Sequence, residues 1–189
     1  QVTADADVYV EIPDLTIVGV WTTGYMVYDG TTLMQVYKVP TAEIIEGAVF
    51  TVRGIVTNYY GALEIIGNAN MPLVLTASDA TADVLTPTVI TSSVSDYIAT
   101  LPTYPLTSPL DYQYVQITAK VQVVDPLDKY ETFLVNTDHD GSDINVKTAA
   151  DFTTNAFMIY YPSNLDAVRA YDGLEVTLNI FIFGVRTDK

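Results

Sequence analysis

"VYDGTTLMQVYKV", residues Val27 to Val39, decides the fold, because it reads as a strand, an Asp-Gly turn and a second strand. Much later, "DGSDINV" from Asp140 to Val146 repeats the turn and the alternation after it. A hairpin unit that recurs once points to duplication of one small β domain. A chain of 189 residues has room for two such domains, each with its own core.

Outward from these hairpins the alternation continues with period two. In "YVQITAKVQVV", Val115, Ile117, Ala119, Val121 and Val123 point one way while Gln116, Thr118, Lys120 and Gln122 point the other, as in a strand with one core face and one solvent face. Each half carries a first strand (Thr16 to Trp21; Tyr114 to Val124), a strand ending in the Asp-Gly turn, and a third strand after it. Each then reaches a glycine and a long late strand. "GAVFTVRGIV" from Gly47 and "GLEVTLNIFI" from Gly173 align so that Phe50, Val52 and Val56 correspond to Val176, Leu178 and Ile182. Before the second of these, "SNLDAVRAY" has Ser163 as N-cap, Asp166 three residues on and Asp172-Gly173 as its stop, which predicts a helix over Ser163 to Tyr171. "TAEII" predicts barely a turn of helix at the same place in the first half.

Three strands, a helix and further strands is the order of the five-stranded OB barrel. The expected fold is all-β with one or two short helices: two tandem OB-like five-stranded barrels, over 15–76 and 112–189. The second ends after its fourth strand at Phe183, with too little chain left for a fifth. An N-terminal arm, 1–14, holds a strand in which Val8, Val10 and Ile12 alternate with Tyr9 and Glu11. Val8 to Pro13 is expected to pair with a sheet edge, either in its own chain or by self-association with a neighbouring copy. The connector 77–111 is rich in Thr, Ser, Ala and Pro, yet Val89, Ile90, Tyr97, Ile98 and Leu101 are too apolar for a free linker, so it is expected to be ordered and packed.

"TIVGVWTTGYMVYDGTTLMQVYK" followed by "IIEGAVFTVRGIVTNYYGALEII" resembles the OB-like modules of secreted bacterial nucleases and surface lipoproteins. The matching positions are Tyr25, Asp29, Gly30, Val36, Tyr37, Gly47, Val49, Thr51, Gly54, Tyr60, Gly61 and Ile65, all framework residues. The resemblance covers residues 16 to 66 well and 112 to 183 with insertions. It implies the fold and an extracellular or cell-surface setting, and carries over no catalytic residue. The chain opens on Gln1 rather than Met, as expected of a processed or trimmed chain, and removal of a secretion signal would account for it.

Composition narrows the function. With 23 acidic residues against 8 basic ones, the net charge of −15 repels phosphate backbones and anionic membrane surfaces. No apolar run approaches the ~20 residues of a membrane span, so no membrane insertion is expected. There is no cysteine, His139 is the one histidine, and neither a Gly-x-Ser-x-Gly nor a phosphate-loop pattern occurs. A non-catalytic protein is the expectation.

Two candidate sites remain. "NTDHDGSDINVK" places Asn136, Asp138 and Asp140 at positions one, three and five of a calcium loop, with Gly141 at six and Asp143 beside them. Position twelve is Lys147 where an EF-hand has Glu, and the competing reading is a hairpin tip that uses Asp and Gly for turn geometry. The other site is an aromatic barrel face. OB barrels bind oligonucleotides and oligosaccharides across strands two and three, where Trp21, Tyr25, Tyr28, Tyr37, Tyr59 and Tyr60 fall, accompanied by Lys38 and Arg53. Its expected partner is a polymer, glycan or single-stranded nucleic acid, the latter opposed by the net charge. The alternative is a self-assembling surface subunit, a filament or layer, built by strand addition with calcium bridges.

Overall fold

A computed structural model describes residues 8–21, 23–37, 44–59, 62–101, 112–128, 130–142, 144, 156–159 and 165–182. These fall into two compact units, the first running to Thr86 and including Tyr112, the second taking up at Pro87 and, after Tyr112, continuing from Gln113. The stretch read as a connector is thus divided between them.

The first unit contains β1 (Val8–Trp21), β2 (Gly24–Tyr28), β3 (Leu33–Tyr37), β4 (Val49–Tyr59), β5 (Ala62–Ile66) and β6 (Val74–Ala77). The order β1-β2-β3-β5-β4, with β4 returning to β1, closes a five-stranded barrel, and β6 adds to β4 outside the ring. β3 and β5 run parallel and the other pairs antiparallel, which is the connectivity of an OB barrel. Closure removes the open edges that would recruit other strands.

β1 makes this closure possible by serving two partners. Val8 to Thr16 pairs with β4, and Thr16 to Trp21 pairs with β2. The register slips between Ile12 and Leu15, where Pro13 has no N–H to give and Asp14 takes φ 55°, its carboxylate accepting from the Ser78 hydroxyl at 2.6 Å. It slips again between Ile17 and Gly19, so that Ile17 and Val20 both face the core. That core is Leu15, Ile17, Tyr25, Val27, Val36, Val52, Val56 and Ile65.

The expected arm is therefore the first half of β1. One edge of it pairs with β4 of its own chain, and position 14 is a bulge inside one strand rather than a boundary.

The second unit contains β7 (Thr88–Val89), α1 (Val94–Thr100), β8 (Gln113–Val123), β9 (Thr132–Val135), β10 (Ala156–Met158), α2 (Leu165–Arg169) and β11 (Glu175–Ile182). β10-β9-β8-β11 form an antiparallel sheet, and β7 lies parallel to β8. These are the first four strands of the same barrel, with β8 again long and shared between two antiparallel neighbours. Outside, β8 and β11 are stitched by Gln116 to Asn179 at 3.1 Å and Thr118 to Thr177 at 3.0 Å. No counterpart of β5 occurs among the described residues, and 183–189 lie outside them.

The duplication reaches individual hydrogen bonds. Gly47 N donates to Ile17 O at 2.8 Å and Ile17 N donates to Ala48 O at 2.9 Å; Gly173 N donates to Val121 O at 2.8 Å and Val121 N donates to Leu174 O at 3.0 Å. Both glycines have positive φ, 84° and 74°. The aligned late strands keep their register too: Val52, Val56 and Ile182 are buried, with Phe50, Val176 and Leu178 packed against the cores.

α2 lies between the third and fourth strands as expected, shortened to five residues, and Ser163 lies outside the described residues. α1 is the element the sequence reading did not single out. Ser93 caps it by accepting from Asp96 N at 3.1 Å, and Val94 and Ile98 are buried against Ile117, Ala119, Val121 and Leu134.

A Cβ at Gly47 or Gly173 would meet nothing within 4 Å, so the cost of substitution there is the backbone conformation alone. Gly47→Ala and Gly173→Ala should each destabilise their unit by about 1–2 kcal/mol, with Asn costing less than Ala at both sites. Urea unfolding of the four variants checks this, and unequal behaviour of the two glycines would break the equivalence.

Candidate binding face of the first barrel

Pairing fixes which side chains share the outside of β1, β2 and β3. Tyr25 and Val27 face the core, so Gly24, Met26 and Tyr28 face out. Gly24 pairs with Trp21 on one side and Tyr37 on the other, which sets two half-buried aromatic side chains about one glycine. A Cβ at Gly24 would lie 2.4 Å from the Val36 carbonyl oxygen and 2.9 Å from Trp21 Cζ2, a clash with backbone that no rotamer relieves. The bulge at Val18 is what turns Trp21 outward, since strict alternation from Ile17 would place it in the core.

The next outer row is Met26, Gln35 and Glu64. Met26 is 0% exposed and Glu64 7%, although both point away from the core. Tyr112 covers this row, itself 7% exposed, with its hydroxyl 3.0 Å from the Leu63 carbonyl and 3.2 Å from Gln35 Oε1. One proton is shared between two acceptors. Burial and then the nearby Glu64 charge push the Tyr112 hydroxyl well above the ordinary tyrosine range.

Tyr25, Tyr28 and Arg53, also expected on this face, stand apart from it. Tyr25 is fully buried in the barrel core, with no exposed surface to offer a polymer, and burial raises its hydroxyl far above the usual range. That hydroxyl is buried with no hydrogen-bond partner among the described residues. Tyr28 donates to the Gly30 carbonyl at 2.7 Å and belongs to the turn. Arg53 stands on the outside of β4, opposite Glu11, to which its Nε donates at 2.8 Å. That pair is half exposed, so it contributes little stability, but it neutralises the cation. Tyr59 pairs with Ala62 at the end of β4. Tyr60 and Lys38 lie outside the described residues. Of the described residues expected on this face, the structure brings together Trp21 and Tyr37.

The acidic turn of the second unit is built as a turn. Asn136 accepts from Ser95 N at 3.0 Å and donates to Ser95 Oγ at 2.9 Å, latching β9 to the start of α1. Asp140 Oδ1 accepts from the Ser142 hydroxyl at 2.6 Å and from Ser142 N at 2.8 Å, and these bonds lower its carboxyl below the ordinary range. Asp29 does the same in the first unit, accepting from Thr31 N at 2.9 Å and Thr32 N at 2.6 Å. Slight burial would raise the Asp29 carboxyl, but these bonds outweigh it and hold it low. Asp138 is exposed and Asp143 lies outside the described residues. Among the described residues, no three His, Asp or Glu side chains are grouped to hold an ion.

Tyr112 and Glu64 are the residues sequence reasoning missed. Glu64 occupies the outward position of an alternating strand and reads as solvated, and Tyr112 reads as the start of the second domain. No local signal tells a single sequence that the two meet. Compared with protein-family models, curated proteins and solved structures, the chain matches none. No helix among the described residues is long and apolar enough to cross a membrane.

A buried hydroxyl without a partner costs about 1–3 kcal/mol, so Tyr25→Phe should raise the stability of the first unit by about 1 kcal/mol, read from its urea midpoint. Tyr25 and Tyr112 are both favoured in the neutral form by folding. Their contribution is whole below pH ~10, where unfolded tyrosine titrates, and is lost as pH rises past it. Stability should therefore decline above that pH, less steeply in Tyr25→Phe.

Asn136→Ala should destabilise the second unit by about 1–2 kcal/mol, equally in calcium and in chelator, because it removes the Ser95 latch. Asp138→Ala should stay within about 0.5 kcal/mol. Thermal melts in both buffers decide it.

Proposed function

We propose that the chain is a non-catalytic extracellular module that binds a neutral glycan across the outer face of β1, β2 and β3. The observation that carries this reading is the row Trp21, Gly24, Tyr37: two aromatic side chains set about a backbone too tight for any residue but glycine. Sugars pack their apolar C–H faces on aromatic rings, and this is the strand pair through which OB barrels take oligosaccharides. The extracellular setting rests on the resemblance to secreted OB-like modules.

Charge favours glycan over nucleic acid. A net charge of −15 opposes the counterion release that drives strand binding, and Arg53 is already paired with Glu11. Pairing of Val8 to Ile12 with β4 of the same chain argues against its donation to a neighbouring copy.

Affinity electrophoresis through gels containing soluble neutral polysaccharides tests the reading. At least one should retard the chain, and Trp21→Ala with Tyr37→Ala should weaken that retardation at least about tenfold, or about 1.4 kcal/mol. Retardation by none of them, together with sub-micromolar single-stranded DNA binding at ~150 mM salt, would refute it.

A further inference from the structure

Two outward-facing side chains of the first barrel, Met26 and Glu64, are as buried as its core. On the outside of a small barrel this requires a cover, and Tyr112 provides one within the same unit. The contact has the features of a binding site. A buried tyrosine side chain reaches a main-chain carbonyl at 3.0 Å and an amide oxygen at 3.2 Å with its hydroxyl, beside a buried carboxylate. Every polar group named here is an acceptor or an anion: Leu63 O, Gln35 Oε1 and the Glu64 side chain. Such a set selects a hydroxyl that donates and rejects an anion.

We propose that the Met26–Gln35–Glu64 row is a binding site for a ring carrying a hydroxyl donor, and that Tyr112 occupies it as a built-in ligand. The row lies two residues along β2 and β3 from Gly24 and Tyr37, about 7 Å away, so it extends the aromatic face. The row that Tyr112 occupies adjoins the Trp21–Tyr37 end, and with Tyr112 displaced the two rows would form one longer site. This inference deepens the glycan reading but depends on it only for the identity of the outside ligand. The site and its occupancy by Tyr112 stand on geometry alone.

Chemical rescue of the full-length variant Tyr112→Ala tests the site. The variant loses the ring and hydroxyl together, and p-cresol, the side chain of tyrosine as a free molecule, should bind and raise its melting temperature. Toluene, which lacks the hydroxyl, should do so distinctly less, and the unsubstituted chain should respond to neither. A ligand at ten times its dissociation constant raises the folding constant about tenfold, which a melt resolves. If the variant is unfolded at room temperature, refolding in p-cresol but not toluene is the same readout. No rescue by p-cresol, or equal rescue by toluene, overturns the assignment. Methyl β-glucoside separates the two readings: its failure beside success of p-cresol contradicts the glycan ligand and leaves the phenol-selective site standing.

Discussion

One pair of reciprocal hydrogen bonds holds each unit together at its bend. Ile17 exchanges amide and carbonyl with the Gly47-Ala48 pair, and Val121 does so with Gly173-Leu174. At that point the first strand stops belonging to one neighbour and begins to belong to another. A flat strand cannot do this, because its two edges run the same way along its whole length. A bent strand can, and bulges with a positive-φ glycine opposite are the means by which a sheet is made to close on itself. In the first unit the result is a sealed five-strand ring with Leu15, Ile17, Tyr25 and Val36 at 0–1% exposure inside it.

The candidate site follows from the same bend. The slip at Val18 that lets Ile17 and Val20 both enter the core puts Trp21 outside, beside Gly24 and in line with Tyr37. Removing the bulge would turn Gly19 and Trp21 inward and Val20 outward. The outer face then has two rows of different character. One presents aromatic side chains, and the other presents acceptors already satisfied by a tyrosine hydroxyl from Tyr112. An acidic protein with a neutral aromatic row and an acceptor row is suited to polyols far better than to polyanions.

Much of the fold was legible because it is written in local chemistry. The Asp-Gly turns demand positive φ at Gly30 and Gly141, and both have it. The alternation in "YVQITAKVQVV" assigns Val115, Ile117, Ala119 and Val121 to the core, where they are. α1 carried the same Ser-x-x-Asp signal as the helix after Ser163, hidden in a stretch read as connector because no alternation surrounds it. The site was less legible because alternation tells which side a residue is on only while the register holds and nothing covers the outside. Tyr25 looks like any strand tyrosine until Val27 and Val36 fix its face as the inner one. Glu64 looks solvated until a residue 48 positions later in sequence, Tyr112, lies over its row. Likewise Asn136 has the spacing of a calcium ligand, but a carboxamide can also tie two elements together, and here it ties β9 to α1.

We propose that the outer face around Trp21 is where the ligand sits. Trp21 is the one tryptophan of the chain, so its emission reports that row without labelling. Titrating the full chain with a soluble neutral glucan such as hydroxyethyl cellulose, and following tryptophan fluorescence, tests the claim directly. The account predicts a saturable blue shift as sugar displaces water from the indole. Emission that stays unchanged while the glucan visibly retards the chain in a gel would place the ligand elsewhere and contradict it.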